Sequence, residues 1–241
     1  MHGENILKFF QKRTKITYLK DSAVFQGVIL TLLIVLLSGG ASKICTEALE
    51  NLLPSADREI YSSIFFSAFL GIVSIGWIKL IKKWQWTRIG LNNLSWSALI
   101  GSILSGIGIC LLLLILGSVL LELLPVESQP QELSQMATVA GSWQQVLGIY
   151  LISSILAPIS EEIFFRGVLY QSMAEEVGRK KAVVIASLIF AMMHFDLYRL
   201  LLLWIAGMWL NILRIRFDSI FTSMIAHSVW NTLMITLAFL A

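Results

Sequence analysis

Uncharged, apolar runs cover residues 22–42, 60–78, 89–121, 133–160 and 219–241. Each meets or approaches the ~20 residues with which a helix crosses ~30 Å of hydrocarbon, so five crossings are predicted. Two further runs, 182–195 and 200–213, hold 14 residues each and are joined by Asp196, Leu197, Tyr198 and Arg199. At about 21 Å per helix they read as a short helical hairpin that returns the chain to its starting side. The expected architecture is therefore all-α: a polytopic integral membrane bundle of about seven membrane segments, the hairpin included. The stretch from Pro125 to Pro130 is the one clear loop, placed outside. The first run, at 21 residues, exceeds the ~7 to 15 of a signal-peptide core and is read as an anchored helix.

Composition sharpens this picture by exclusion. Of 241 residues, 57% are hydrophobic and only 14% charged, with a mean hydropathy of +0.79, against about 25% charged in ordinary globular chains. A soluble domain is ruled out. The net charge of +3 is dispersed between the apolar runs, which argues against nucleic acid as a partner. Cys45 and Cys110 form no CxxC and carry no metal-ligand spacing.

The basic residues instead encode orientation. Lys8, Lys12, Arg13, Lys15 and Lys20 precede the first run, and Lys79, Lys82, Lys83 and Arg88 separate the second from the third. Arg179, Lys180 and Lys181 precede the hairpin and Arg214 and Arg216 follow it, whereas the 42–59 and 122–142 connections hold only Lys43 and Arg58. By the positive-inside rule the N-terminus is cytoplasmic, in a cell (plasma) membrane protein with lipid around it.

In so apolar a chain the informative residues are ionisable groups where hydrocarbon belongs, since each costs about 2.5 to 3.5 kcal/mol at a helix centre. Glu161, Glu162 and Arg166 interrupt the end of the fourth long run; His194 lies in the first arm of the hairpin; His227 lies in the last run, four residues before Asn231. Glu162 and Arg166 are spaced i and i+4 in the favourable acid-first order, so they can pair. Glu161, about 100° around the helix, is then free for another task. His227 and Asn231, also i and i+4, share a face. Counting from the basic ends at ~1.5 Å per residue puts Glu161, His194, His227 and Asn231 at one depth. A carboxylate, two imidazoles and an amide at one level are what hydrolysis of a peptide bond in a membrane requires: a base for water, a second proton-transfer group and donors for an oxyanion. Taken singly, each has a bland reading as a structural ion pair or as interhelical hydrogen-bond glue. Gly101, Ser105, Gly106 and Gly108 are read as close helix packing, and Phe164, Phe165, Met192 and Met193 as packing residues. Asp196 with Arg199 caps the hairpin tip.

Glu161-Glu162-Ile163-Phe164-Phe165-Arg166, Phe190-Ala191-Met192-Met193-His194 and His227-Ser228-Val229-Trp230-Asn231 follow EExxFR, FxxxH and HxxxN in order. In this the chain resembles the CAAX protease and bacteriocin-processing intramembrane endopeptidases, which include the type II CAAX prenyl endopeptidases and lysostaphin resistance protein A-like members. The resemblance spans about 143–241, as a catalytic-type helical core, and leaves 1–142 as a cytoplasmic arm and three helices without motifs, the whole forming one compact unit. It implies an intramembrane endopeptidase acting on a membrane-associated, prenylated or bacteriocin-like peptide or protein. Glu161 would activate water with His194 assisting, His227 and Asn231 would bind the oxyanion, and Arg166 with Glu162 would brace the site. No cofactor is required on this reading. The alternative is a divalent metal such as zinc on Glu161, His194 and His227, although no compact HExxH motif fixes such ligands. From other classes, a proton- or ion-coupled transporter and a catalytically silent scaffold use the same residues.

Overall fold

The computed structural model describes residues 22–123 and 140–240; the N-terminal basic cluster and the Pro125–Pro130 loop lie outside the described residues. Those described form seven longer helices and one short 3-10 turn, Trp86–Ile89, with no strand among them. The longer helices are α1 (Ala23–Ala48), α2 (Ser55–Gly76, wound on through Trp77–Ile81), α3 (Trp96–Leu123), α4 (Trp143–Val177), α5 (Arg179–Met192), α6 (Leu200–Phe217) and α7 (Ile220–Leu240). Six of the seven are long and apolar enough to cross a membrane. The exception is α5, whose 14 residues reach about 21 Å. The chain is thus an integral membrane helical bundle, and its outward-facing leucines and isoleucines, such as Leu32, Leu36, Leu104 and Ile115, face lipid as a bilayer demands.

Several boundaries differ from those the apolar runs predict. The fourth run ends at the Glu161-Glu162 pair, yet α4 continues to Val177, because paired ionic groups turned into a bundle do not stop a helix whose backbone bonds are satisfied internally. The hairpin's second arm extends past 213 to Phe217, carrying Arg214 and Arg216 on the helix, while its first arm ends at Met192. His194 consequently sits on the turn beyond α5 and is exposed. Met192 is exposed as well, contrary to its reading as a packing residue, whereas Phe164 and Phe165 are buried. The hairpin tip is capped as expected: Arg199 N–H donates to Asp196 Oδ1 at 2.9 Å and the two side chains pair at 3.2 Å.

The central element is α4, against which α1, α2, α5 and α7 pack. It is not uniformly α-helical. Wider π turns at Ile152–Leu156 and Ile163–Leu169 flank the α-helical turn Ala157–Glu162. Pro158 has no N–H for the carbonyl four residues earlier, which is why the first π turn sits immediately before it. π turns inside helices redirect side chains and are frequent at functional sites. At the other end of the bundle Gly178 (φ +82°) separates α4 from α5, and Asp218 (φ +47°) ends α6 in the left-handed conformation common at helix C-termini. The Ile220 amide then donates to the Gly90 carbonyl at 2.7 Å, and the Asn92 amide to the Asp218 carbonyl at 2.7 Å, so the segment between α2 and α3 is fastened to the α6–α7 turn.

α3 lies along α7 because Gly106 lets it: a Cβ there would stand 2.5 Å from the Ala226 carbonyl oxygen and 2.7 Å from Val229 Cβ. That is the small-residue close approach by which membrane helices associate without a hydrophobic drive between them. Gly101, facing Phe217, follows the same logic, and Gly108 faces Trp209 at ordinary contact distance.

Candidate active site

The structure draws Glu162, Arg166 and His227 into one wholly buried network. Arg166 Nη1 donates to Glu162 Oε1 at 2.7 Å, and neither side chain has any exposed surface. Arg166 Nη2 donates to the Gly207 carbonyl on α6 at 3.3 Å, and its guanidinium carbon lies 4.6 Å from the Phe190 ring centre. Glu162 Oε1 also receives His227 Nδ1 at 2.9 Å. One ion pair therefore ties α4 to α5, α6 and α7. A buried pair this well connected does not add much net stability, but losing one partner would strand a charge.

Glu161 differs from its neighbour in exposure and in partners. Its side chain is 19% exposed, and its Oε2 lies 4.0 Å from His227 Nε2 with no hydrogen-bond partner among the described residues, as is also true of Glu162 Oε2. Of two adjacent carboxylates, one is buried and binds an arginine and an imidazole through a single oxygen, and the other binds neither and turns an oxygen toward that same imidazole.

Hydrogen-bond partners also assign the imidazole nitrogens. A carboxylate receives His227 Nδ1, so that nitrogen carries the proton and Nε2 is the atom presented to Glu161. The ring is clamped by Trp230, stacked at 5.2 Å, and by the edge of Phe190 at 6.0 Å. His194 Nδ1 lies 2.9 Å from the Phe190 carbonyl oxygen, which can only accept, so its Nε2 is likewise the nitrogen left for chemistry. Phe190 stands between the two imidazoles, 4.8 Å from His194 ring to ring.

Asn231 is one helical turn beyond His227, and its amide nitrogen donates to the Ser153 carbonyl at 2.8 Å, within the first π turn of α4. It does not bond to Glu161 or His227. The structure thus brings Glu161, Glu162, Arg166 and His227 into direct proximity, connects His194 through Phe190, and anchors Asn231 to the α4 backbone. Among the described residues no three His, Cys, Asp or Glu side chains converge as ligands, and His194 stands on the exposed turn.

Residues the sequence reading passed over complete the surroundings. The Gly207 carbonyl accepts from both Arg166 and Asn211 Nδ2, the latter at 3.2 Å, and Asn211 also reaches Ser187 Oγ at 3.0 Å. Gly207 sits in close contact: a Cβ there would press on Ser187 and Phe190 at 3.0 to 3.3 Å. An asparagine inside the 200–213 run was a visible signal for this position. Ser153 had none, since only its backbone takes part.

Residues 143–233 match the family model of the type II CAAX prenyl endopeptidase Rce1-like proteins. The matched segment, less than half of the chain, is similar to that family. It opens at the first residue of α4 and closes within α7, so it contains the whole cluster just described, with α1, α2 and α3 lying before it. The chain is also similar to the Bacillus subtilis (strain 168) protein named "Putative membrane peptidase YdiL", 35% identical over 92 residues. The alignment covers 38% of this chain and 38% of that relative, well under two thirds of its length. No solved structure matches the chain.

Proposed function

We propose that this protein is an intramembrane endopeptidase that hydrolyses a peptide bond of a membrane-associated substrate, with Glu161 activating the water. The observation that carries this reading is the difference between adjacent carboxylates: Glu162, with no exposed surface, binds Arg166 and His227 through Oε1, while Glu161 is partly exposed, binds neither, and holds its Oε2 4.0 Å from His227 Nε2. Atoms 4.0 Å apart are both within hydrogen-bond reach of a single oxygen between them. A water there gives its proton to Glu161 as it attacks the scissile carbonyl. With His227 as the imidazolium, its Nδ1–H held by Glu162, the Nε2–H and the Asn231 amide stabilise the developing oxyanion. Glu162 holds the His227 ring from behind, and Glu161 returns its proton to the leaving amine. His194, with Nε2 as its available nitrogen, assists proton transfer from the exposed turn.

The substrate class that fits is a prenylated, CAAX-type or bacteriocin-like peptide reaching the site from the bilayer. The protein resides in the cell membrane with its N-terminus in the cytoplasm, as the distribution of basic residues supports.

The test is cleavage by the purified chain of a panel of membrane and prenylated peptides. Glu161→Gln preserves size and polarity but removes the base, so cleavage should fall by about 10² to 10⁴, while thorough removal of divalent ions should leave wild-type cleavage intact. Undiminished cleavage by Glu161→Gln would remove Glu161 from its role. Glu161-dependent proton or ion flux in vesicles without cleavage of any peptide would replace the enzyme by a transporter.

A further inference from the structure

Two arginines are buried among the described residues, Arg166 and Arg214, and their circumstances are opposite. Arg166 has an internal counter-charge in Glu162 at 2.7 Å. Arg214, 6% exposed, has no carboxylate within ion-pair distance among the described residues. Its Nη2 makes two long contacts of 3.4 Å, to the Arg88 carbonyl and to Gln171 Oε1; its guanidinium carbon lies 5.3 Å from the Tyr170 ring centre; and its Nε has no hydrogen-bond partner. A guanidinium taken out of water without an anion is costly to keep.

Arg214 lines a cavity of about 360 Å³ that Arg88 and Arg179 also line. Two carboxylates share the wall, Glu175 and Asp218. Glu175 accepts from Arg88 at 2.8 Å, and Asp218 Oδ2 accepts from the neutral Asn92 amide at 3.2 Å, its charge acting on Arg214 only from beyond ion-pair distance. Three guanidinium groups against two carboxylates leave one positive charge in excess, and the buried guanidinium, Arg214, makes no direct ion pair among the described residues. The cavity lies at the end of the bundle that carries Arg179, Lys180, Lys181 and Arg216.

We propose that this cavity is a binding site for a phosphate-type oxyanion, with Arg214 as its buried anchor and Arg179 at its rim. Planar guanidinium forks match phosphate oxygens in geometry and charge, and the ligand supplies the direct ion pair that Glu162 gives Arg166 and that Arg214 lacks among the described residues. The site is separate from the Glu161 cluster: along α6, Arg214 is seven residues from Gly207, about 10 Å.

The experiment titrates the purified full chain, in neutral detergent, with inorganic phosphate in one arm and with phosphatidylglycerol against phosphatidylcholine in the other, following the unfolding temperature. A saturable rise is expected in at least one arm. A rise with phosphate alone identifies a soluble phosphoryl ligand, and a rise only with phosphatidylglycerol a lipid headgroup. Arg214→Gln and Arg179→Gln should each weaken the apparent affinity by about tenfold or more, as loss of a charge-assisted contact implies. Arg216→Gln, exposed at the same end but outside the cavity, should not. If Arg214→Gln does not fold, the exposed Arg179 decides the matter. No saturable rise in either arm, or equal weakening by Arg216→Gln and Arg179→Gln, overturns the proposal.

Discussion

Glu161 and Glu162 are neighbours of identical chemistry, and what separates them is only the direction in which each side chain leaves the helix. Glu162 points into the bundle, where Arg166 and His227 reach it at 2.7 and 2.9 Å; Glu161 leaves about 100° away and keeps partial exposure. The two should therefore fail differently. Glu162→Gln leaves the Arg166 guanidinium buried without its anion, so the unfolding free energy of the purified protein should fall by about 3 to 5 kcal/mol. Glu161→Gln should leave stability within about 0.5 kcal/mol while removing turnover. Equal stability of both variants in thermal or denaturant unfolding would show that Glu162 does not hold the cluster together.

At the scale of elements, the site depends on α4 being irregular and on α7 being held in place. The π turn at Ile152–Leu156 offers the Ser153 carbonyl to Asn231, a bond that a regular helix would have used internally. α7 is positioned from its other side by α3 through Gly106. Gly106→Val puts branched carbon where 2.5 Å separates a Cβ from the Ala226 oxygen, so α3 must move away. Stability should drop by about 1 to 3 kcal/mol, and cleavage with it, although Gly106 touches none of the ionisable groups. Gly40→Ala, with nothing within 4 Å, is the matched control and should leave the unfolding temperature unchanged or slightly higher.

For the whole molecule, the orientation read from basic residues can be checked with the protein's own cysteines. Cys110 is buried in α3 and Cys45 is partly exposed near the end of α1. In intact cells a membrane-impermeant maleimide should label Cys45 from outside. In a Cys45→Ser background, Lys180→Cys should be labelled only after permeabilisation. The inverse pattern would turn the bundle over, and would place the arginine-lined cavity on the external face.

Hydropathy and charge order were enough to read an all-helical membrane protein and most of its spans, because the cost of unpaired backbone in hydrocarbon permits so few solutions. Expensive groups in apolar runs also stood out as residues to examine, since the bilayer admits them only at a cost, and the pairing of Glu162 with Arg166 followed from i, i+4 spacing alone. Spacing along one helix says nothing about what another helix brings opposite it. That His227 reaches both glutamates, that Gly207 lends a carbonyl to Arg166, and that Asn231 is bound to Ser153 were decided by how α4, α6 and α7 pack. Nor does hydropathy locate a helix end to within a turn. His194 counts as a membrane residue in the 182–195 run but lies beyond Met192 on an exposed turn, and Arg214 counts as a flanking charge but is buried on α6. Composition records what a residue costs to bury; only the tertiary structure decides whether it is buried and what repays that cost.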